Sequence, residues 1–435
     1  MNSEKSNLLK QKSHTLIPGG AHTYAKGDDQ FPEGAPGFLE KGEGCHVWDL
    51  DRNEYIEYGN GLRSVTLGHA YKPVVEAAYQ QMRLGINFNR PSSIEVECAE
   101  KIINLIEGAD MVKFAKNGSD VTTAAVRLAR AFTGRDLVAI CEDHPFYSVD
   151  DWFIGSTDMP AGIPHAIRDL TLKFHYNDLE SIKSLFEQYP NQIACLFMEV
   201  ERFDPPLDGF LQNVKLLCKQ NGCLLIFDEI ITGFRWHLGG AQKYHNIIPD
   251  LSTFGKAIGN GFSIAALVGK REIMELGGLN TDKERVFLLS TTFGAETHSL
   301  AAAIATMKIY ESEPVIDHLY RQGKRLIEGI KQSVHEHRLE GYFGTLGKPC
   351  CLLYYTRDEN GQPSQSFRTL FLQETIKRGI IAPSLVVSYS HTDRDIDKTL
   401  EVLNETLFVY RKALDHGIDR FLEGRAVKPV IRRFN

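Results

Sequence analysis

The stretch that decides the fold runs from Cys223 to Gly269, CLLIFDEIITGFRWHLGGAQKYHNIIPDLSTFGKAIGNGFSIAALVG. Leu224 to Phe227 is a short run of branched and aromatic residues, the composition of a buried strand, and it stops at two carboxylates, Asp228 and Glu229. After a Gly-rich excursion comes a second short apolar segment, Leu251 to Phe254, followed directly by Gly255 and Lys256, with Gly259 and Gly261 just beyond. Ligands of a parallel sheet bind outside the carboxyl ends of its strands, so an acid ending one strand and a lysine following another can face one crevice.

One cofactor gives such a pair a reason. Pyridoxal phosphate is held by a lysine as a Schiff base and takes a carboxylate against its pyridine nitrogen. The carboxylate keeps that nitrogen protonated, so the ring accepts the electrons released when a bond to the substrate's α carbon breaks. Asp228 and Lys256 are therefore the candidate catalytic pair. Taken singly, each also reads as something ordinary, a strand-end acid and a surface lysine.

The words FDEIITGFR, GGAQ and PDLSTFGKAIGNG resemble the active-site signature of the class III aminotransferases, pyridoxal-phosphate enzymes of fold type I, and within them the glutamate-1-semialdehyde 2,1-aminomutase-like subgroup. An IPGG opening, the WDLDRNEYIEY hairpin and LGHA at Leu67 to Ala70 carry the likeness through nearly the whole chain. It implies an α/β fold: a large domain with a mostly parallel, seven-stranded sheet sandwiched by helices, and a small α+β domain built from both chain ends. Strands alternating with helices support the parallel part independently. The expected divisions are residues 1–65, 66–325 and 326–435. A homodimer is implied as well.

The resemblance also assigns further site residues. Gly118 and Ser119 open an amphipathic helix and fall on the family's phosphate-binding positions, where free N–H groups and the helix dipole favour an anion; alone, the same pattern is an ordinary N-cap. Phe146 is the first choice for the aromatic that stacks on the pyridine ring. Tyr147 is its alternative, because Phe-Tyr-Ser stands here where the family has Tyr-His-Gly. Glu199 resembles the family's acid near the lysine and ring, and Ile230 joins the cofactor-binding set. Thr292 matches a threonine that reaches the phosphate of the neighbouring subunit, against the plainer reading of a helix cap. Tyr24, Lys26 and Arg63 are the substrate-binding candidates. Lys26 stands near the place of an arginine thought to grip the substrate carboxylate, and a lysine cannot reproduce that planar, two-bond grip. The segment from Trp152 to Ile167, with glycines at Gly155 and Gly162, reads either as a lid or as a plain surface loop.

Composition narrows the remaining classes. The 435 residues are 43% hydrophobic with a formal charge of -7, a globular balance that lacks the basic patch nucleic acid binding needs. MNSEKSNLLKQKSH has no apolar core of a leader, and no stretch reaches the roughly 18 apolar residues of a membrane span, so a cytoplasmic protein without a membrane partner is expected. Eight cysteines without CxxC spacing read as buried thiols. Fifteen histidines form no metal-binding pattern, so no catalytic metal is expected.

For function, an aminotransferase comes first, moving an amino group from an amino acid donor to an aldehyde or keto acceptor. A sugar-like acceptor of surface polysaccharide synthesis is favoured by Lys26 and Arg63, and by what close relatives of this type do. An aminomutase or racemase, in which the amine never leaves for a second substrate, is the alternative. A non-catalytic binding protein on the same fold is a third, opposed by the retention of both Lys256 and Asp228.

Overall fold

The computed structural model describes residues 4–434. They divide into two compact units, one of residues 72–316 and one joining the residues up to 71 to those from 317 onward. Residues 66–71 and 317–325 thus pack with the chain ends, beyond the divisions expected from sequence. Hydrogen bonds explain the shift: Tyr389 N–H donates to the Thr66 carbonyl at 2.8 Å, Ser390 Oγ to the Leu67 carbonyl at 2.6 Å, and Gln322 Nε2 to Asp393 Oδ1 at 2.7 Å.

The middle unit holds a seven-stranded sheet. Its strands are β1 (Met111–Ala115), β2 (Leu137–Cys141), β3 (Thr171–Phe174), β4 (Ile193–Glu199), β5 (Leu224–Asp228), β6 (Leu251–Phe254) and β7 (Ala265–Gly269), in the spatial order β1-β7-β6-β5-β4-β2-β3. Only β7 runs against the others. Every residue of β4 and β5 is buried, as expected of central strands covered on both faces, and this is why IACLFM and LLIF read as unbroken apolar runs. Helices cross between the parallel strands. The first, α1 (Gly118–Thr133), lays Val121, Ala125 and Leu128 into the core, is capped by the Asn117 side chain accepting from Asp120 N–H, and ends at Gly134 in left-handed conformation with φ of 67°. No crossover helix separates β6 from β7. Residues 255–264 make that return along one edge.

The register aligns three polar residues. Glu199 pairs with Asp228, and Asp228 with Thr253, so the carboxyl ends of β4, β5 and β6 present their side chains in a row.

In the terminal unit the hairpin expected around Asp51 to Asn53 forms between His46–Asp49 and Glu54–Glu57. A short strand, Ile380–Ile381, runs parallel to Glu54–Glu57 and stops before Pro383, which has no N–H to extend the ladder. A long helix follows at Asp393–His416. All eight cysteines are buried and free of disulfides. Among the described residues no helix is long and apolar enough to cross a membrane.

In the segment from Trp152 to Ile167, Trp152, Phe153 and Ile163 are buried, Trp152 Nε1 donates to Thr123 Oγ1 at 2.8 Å, and Arg168 bonds the Ile163 and Pro160 carbonyls at 2.8 and 2.6 Å. Asp158, Ala161, Gly162 and Pro164 to Ala166 are exposed, so the start of the segment packs into the core and much of the rest is surface. Phe197 of β4 lies fully enclosed against it, with ring centroids 5.1 Å from Tyr147 and 5.6 Å from Trp152. Phe197→Ala is expected to destabilise the fold by about 3–5 kcal/mol, as large core truncations do, measured as a lower urea midpoint with unchanged slope.

Candidate active site

Asp228 ends β5 with its carboxyl group almost completely enclosed. Its Oδ1 accepts from Ile230 N–H at 2.9 Å and from Thr253 Oγ1 at 3.4 Å. Burial is the largest influence on it and nearby Glu199 adds to the effect, so the carboxyl is pushed up to about 7 in spite of those two donors and the Lys256 ammonium. Lys256 is therefore within electrostatic reach of Asp228. It begins the turn Lys256–Gly259 directly beyond β6, with φ of 45°, a left-handed conformation unusual for a residue with a side chain. Strain of this kind collects at sites where position matters more than local stability.

Glu229 serves a different purpose from its neighbour. Its oxygens accept from Ala241 and Gln242 N–H at 2.8 and 2.6 Å and from the Thr232 hydroxyl. The loop backbone comes so close that a Cβ on Gly240 would stand 2.7 Å from the Glu229 carboxyl carbon.

Glu199 is equally enclosed and ion-paired to Arg202, with Nη1 to Oε2 at 3.2 Å. Its backbone N–H donates to His144 Nδ1 at 3.1 Å, and the same nitrogen lies 3.1 Å from the Tyr147 hydroxyl. Tyr147 also donates to the Cys141 carbonyl at 3.3 Å. The two aromatic candidates differ in their surroundings. The Tyr147 ring is buried edge-on against Phe153 and Phe197, so it supports the strand ends from beneath and has no face free for a ligand. Phe146 is 48% exposed and keeps a face open.

Ile230 reaches toward Gly118 of the expected cradle and toward Gly255. A Cβ on Gly118 would lie 3.4 Å from Ile230 Cδ1, and one on Gly255 3.0 Å from the same atom. Gly118 and Ser119 form the first turn of α1, but the cap of that helix is Asn117, which leaves Ser119 free of capping duty. The Ser119 hydroxyl accepts from Val149 N–H at 3.0 Å and still has its own proton to donate. Thus Gly118, Ser119, Phe146, Glu199, Asp228, Ile230 and Lys256 all lie at or just past the carboxyl ends of β1, β2, β4, β5 and β6. Thr292 lies elsewhere in the same unit, exposed, its carbonyl accepting from Asn87 Nδ2 at 3.1 Å. It is not the cap of the following helix, which starts at Thr297 behind Glu296.

Tyr24, Lys26 and Arg63 belong to the terminal unit. Tyr24 and Lys26 bound a single exposed 3-10 turn. Arg63 closes a left-handed turn in which Asn60, Gly61, Leu62 and Arg63 have φ of 46°, 57°, 59° and 71°. Each non-glycine residue there costs roughly 1–2 kcal/mol relative to a right-handed turn. Asn60 Nδ2, bonded to the Val386 carbonyl at 2.6 Å, and Asn60 N–H, bonded to Glu57 Oε2 at 2.7 Å, hold it in place.

Sequence reading missed Thr253, Arg202 and His144. Strand alternation gives a signal for Thr253, the one hydroxyl on β6 opposite Asp228. Arg202 and His144 follow strand ends by three residues each, in loops whose path no periodicity predicts.

The fit to pyridoxal phosphate rests on Asp228. It is an enclosed carboxyl group at the carboxyl end of a strand, within electrostatic reach of Lys256, the placement a protonated ring nitrogen would need for its partner. Glycines at 118 and 255 let the backbone pass close to the Ile230 side chain at the edge of this site.

Burial holds the His144 imidazole down to about 4, against an ordinary value of 6.5. The unfolded chain takes up this proton near pH 6.5 and the folded one only near pH 4, so stability falls with pH across that window, by about 3 kcal/mol in full. His144→Gln should lose less stability than the wild type between pH 7 and pH 5, measured by urea unfolding at each pH.

Comparison with known proteins places this geometry. The family model for class-III aminotransferases matches residues 31–403. The glutamate-1-semialdehyde 2,1-aminomutase of Acetivibrio thermocellus is 34% identical over 437 residues, covering 95% of this chain and 99% of that protein. That of Francisella tularensis subsp. holarctica is 31% identical over 424 residues, covering 92% and 97%. Among solved structures, the PLP internal aldimine form of the FumI protein of Sphingopyxis sp. MTA144 superimposes with a TM-score of 0.87 at 26% identity, covering 95% of this chain and 98% of that one. With its sheet order, its lysine beyond β6 and its enclosed aspartate at the end of β5, the chain belongs to the class-III aminotransferases, pyridoxal-phosphate-dependent transaminases of fold type I.

Proposed function

We propose that this enzyme moves an amino group between neighbouring carbons of a small amino aldehyde, as a glutamate-1-semialdehyde 2,1-aminomutase does. The reading is carried by relatives of that name that align with more than nine-tenths of the chain at 31–34% identity. Those names favour the aminomutase alternative over the sugar-like acceptor expected from sequence, for which no further support has appeared. The second reading, transfer to a separate carbonyl acceptor, is favoured by Lys26, a point charge near the expected place of a bidentate arginine.

In either reaction pyridoxal phosphate, when bound, draws off the electron pair left on the substrate carbon as its proton departs. The chain's own residues do the rest. Lys256 Nζ would hold the cofactor and, once free, would carry a proton away from one substrate carbon and back to another. The Asp228 carboxylate would keep the ring nitrogen protonated. Gly118 and Ser119 would hold the phosphate, and Phe146 and Ile230 would lie against the ring. Glu199, neutralised by Arg202, places a second acid beside Asp228 without adding a full unpaired charge.

A homodimer is part of this proposal, with Thr292 reaching the neighbouring subunit's phosphate. Support comes from exposed apolar side chains of the same unit: Tyr79, Met82, Leu84, Phe88, Phe287 and Phe293 are all at least half exposed.

Three outcomes test the proposal. Lys256→Ala should remain folded and lose the coloured, borohydride-fixable attachment together with all amine transfer. Asp228→Asn should bind cofactor while losing roughly a hundredfold or more in turnover, the scale of one buried electrostatic partner. Incubating the holoenzyme with glutamate-1-semialdehyde should yield 5-aminolevulinate; 2-oxoglutarate released from L-glutamate only when a sugar aldehyde or ketone is supplied would instead establish the intermolecular reading.

A further inference from the structure

The tail Gly424 to Phe434 carries four cations, Arg425, Lys428, Arg432 and Arg433, and the segment Gly27 to Glu33 carries three acids, Asp28, Asp29 and Glu33. The two meet. Arg432 Nη2 pairs with Asp29 Oδ2 at 2.7 Å, Lys428 N–H donates to the Asp29 carbonyl at 3.0 Å, and Arg425 Nη2 donates to the Asp28 carbonyl at 2.8 Å. Arg425 N–H adds a bond to Glu33 Oε1 at 3.3 Å. The approach is close enough to require glycine: Gly424 has φ of 74°, and a Cβ there would stand 2.5 Å from the Glu33 carboxyl carbon.

The tail is itself anchored. Val427 is buried and donates its N–H to Thr369 Oγ1 at 2.8 Å, Glu423 N–H donates to Gln373 Oε1 at 2.8 Å, and Lys377 pairs with Glu423 at 2.6 Å. From the opposite side Lys10 and His14 reach Asp28 Oδ2 at 3.2 and 3.3 Å. What these contacts grip is a rigid double turn. Tyr24–Lys26 and Asp28–Gln30 are consecutive 3-10 turns sharing Gly27, whose N–H donates to the Tyr24 carbonyl and whose own carbonyl accepts from Gln30 N–H. Fixing Asp28 and Asp29 therefore fixes the orientation of Tyr24 and Lys26. Asp28, Asp29 and the whole tail lie outside the residues that the family model matches, so the clamp is not part of the shared family core.

We propose that residues 417–434 act as a strap that positions the Tyr24–Lys26 turn for substrate recognition. The proposal rests on the reading of Tyr24 and Lys26 as substrate-binding residues. On this reading the strap acts on the turn and leaves cofactor chemistry alone.

The test uses the holoenzyme. In Arg425→Ala/Arg432→Ala, amide hydrogen exchange over residues 24–33 should quicken roughly tenfold or more, as for a segment released from its local contacts, while the helix Asp393–His416 keeps its protection. KM for glutamate-1-semialdehyde should rise several-fold with kcat and the cofactor absorbance spectrum held, because only positioning is lost. The charge swap Asp29→Arg with Arg432→Asp should restore much of both, whereas either change alone should not. Unchanged exchange over 24–33 overturns the strap. Faster exchange with unchanged KM overturns its link to the substrate; if Lys26→Ala also leaves KM unchanged, the failure lies in the assignment of Lys26 and not in the tether.

Discussion

A carboxylate taken out of water beside a second carboxylate is the constraint on which the site depends. Asp228 ends a strand buried on both faces and is paired in register with Glu199, so its ionised form is disfavoured twice, by the missing solvent and by the neighbouring acid. Each nearby polar feature answers that cost in part. Ile230 N–H and the Thr253 hydroxyl donate to it, Lys256 brings a positive charge, and Arg202 engages Glu199. Breaking one partner of such an enclosed arrangement is more costly than exchanging the whole for apolar residues. An acid kept under these conditions is best explained by a cation that arrives with the ligand.

The same enclosure orders the layer underneath. His144 and Tyr147 tie the loop after β2 to the end of β4, through one nitrogen that accepts from Glu199 N–H and a hydroxyl that also bonds Cys141. Uncharged donors and acceptors are what this depth permits, since another ion here would need its own partner. The loop after β2 is therefore held to the end of β4 by neutral bonds, beside the buried acids Glu199 and Asp228.

Much of this was legible in the sequence, and the reasons are specific. Buried parallel strands have continuous apolar runs, so β4 and β5 announced themselves, and a run that stops at an acid marks the carboxyl edge. Other features depend on what meets what in space. Phe146 and Tyr147 are adjacent in the chain, and only the enclosure of one ring by Phe153 and Phe197 separates a supporting residue from a candidate ring-stacking one. Trp152 to Ile167 has the glycines of a lid, yet Trp152 and Phe153 at its start pack into the core. Residues 66–71 and 317–325 carry no composition shift that would reveal the terminal unit they join through long-range hydrogen bonds. The left-handed turn at Asn60 to Arg63 holds one glycine among four such residues, too few to betray it.

The reversal of β7 has a consequence for how the lysine is held. Every other strand of the sheet reaches its sequence successor through a long crossover, where an extra residue or two is absorbed in a surface loop at little entropic cost. Lys256 sits in the connection that joins two antiparallel neighbours, with both ends fastened to adjacent rungs of the ladder. An inserted residue there has no slack to enter and moves Lys256 along the edge itself. Because β6 and β7 are also close in sequence, their pairing closes a small loop and needs little chain to be ordered beforehand. Natural variation in length should therefore gather in the crossovers and be nearly absent between Gly255 and Ile264.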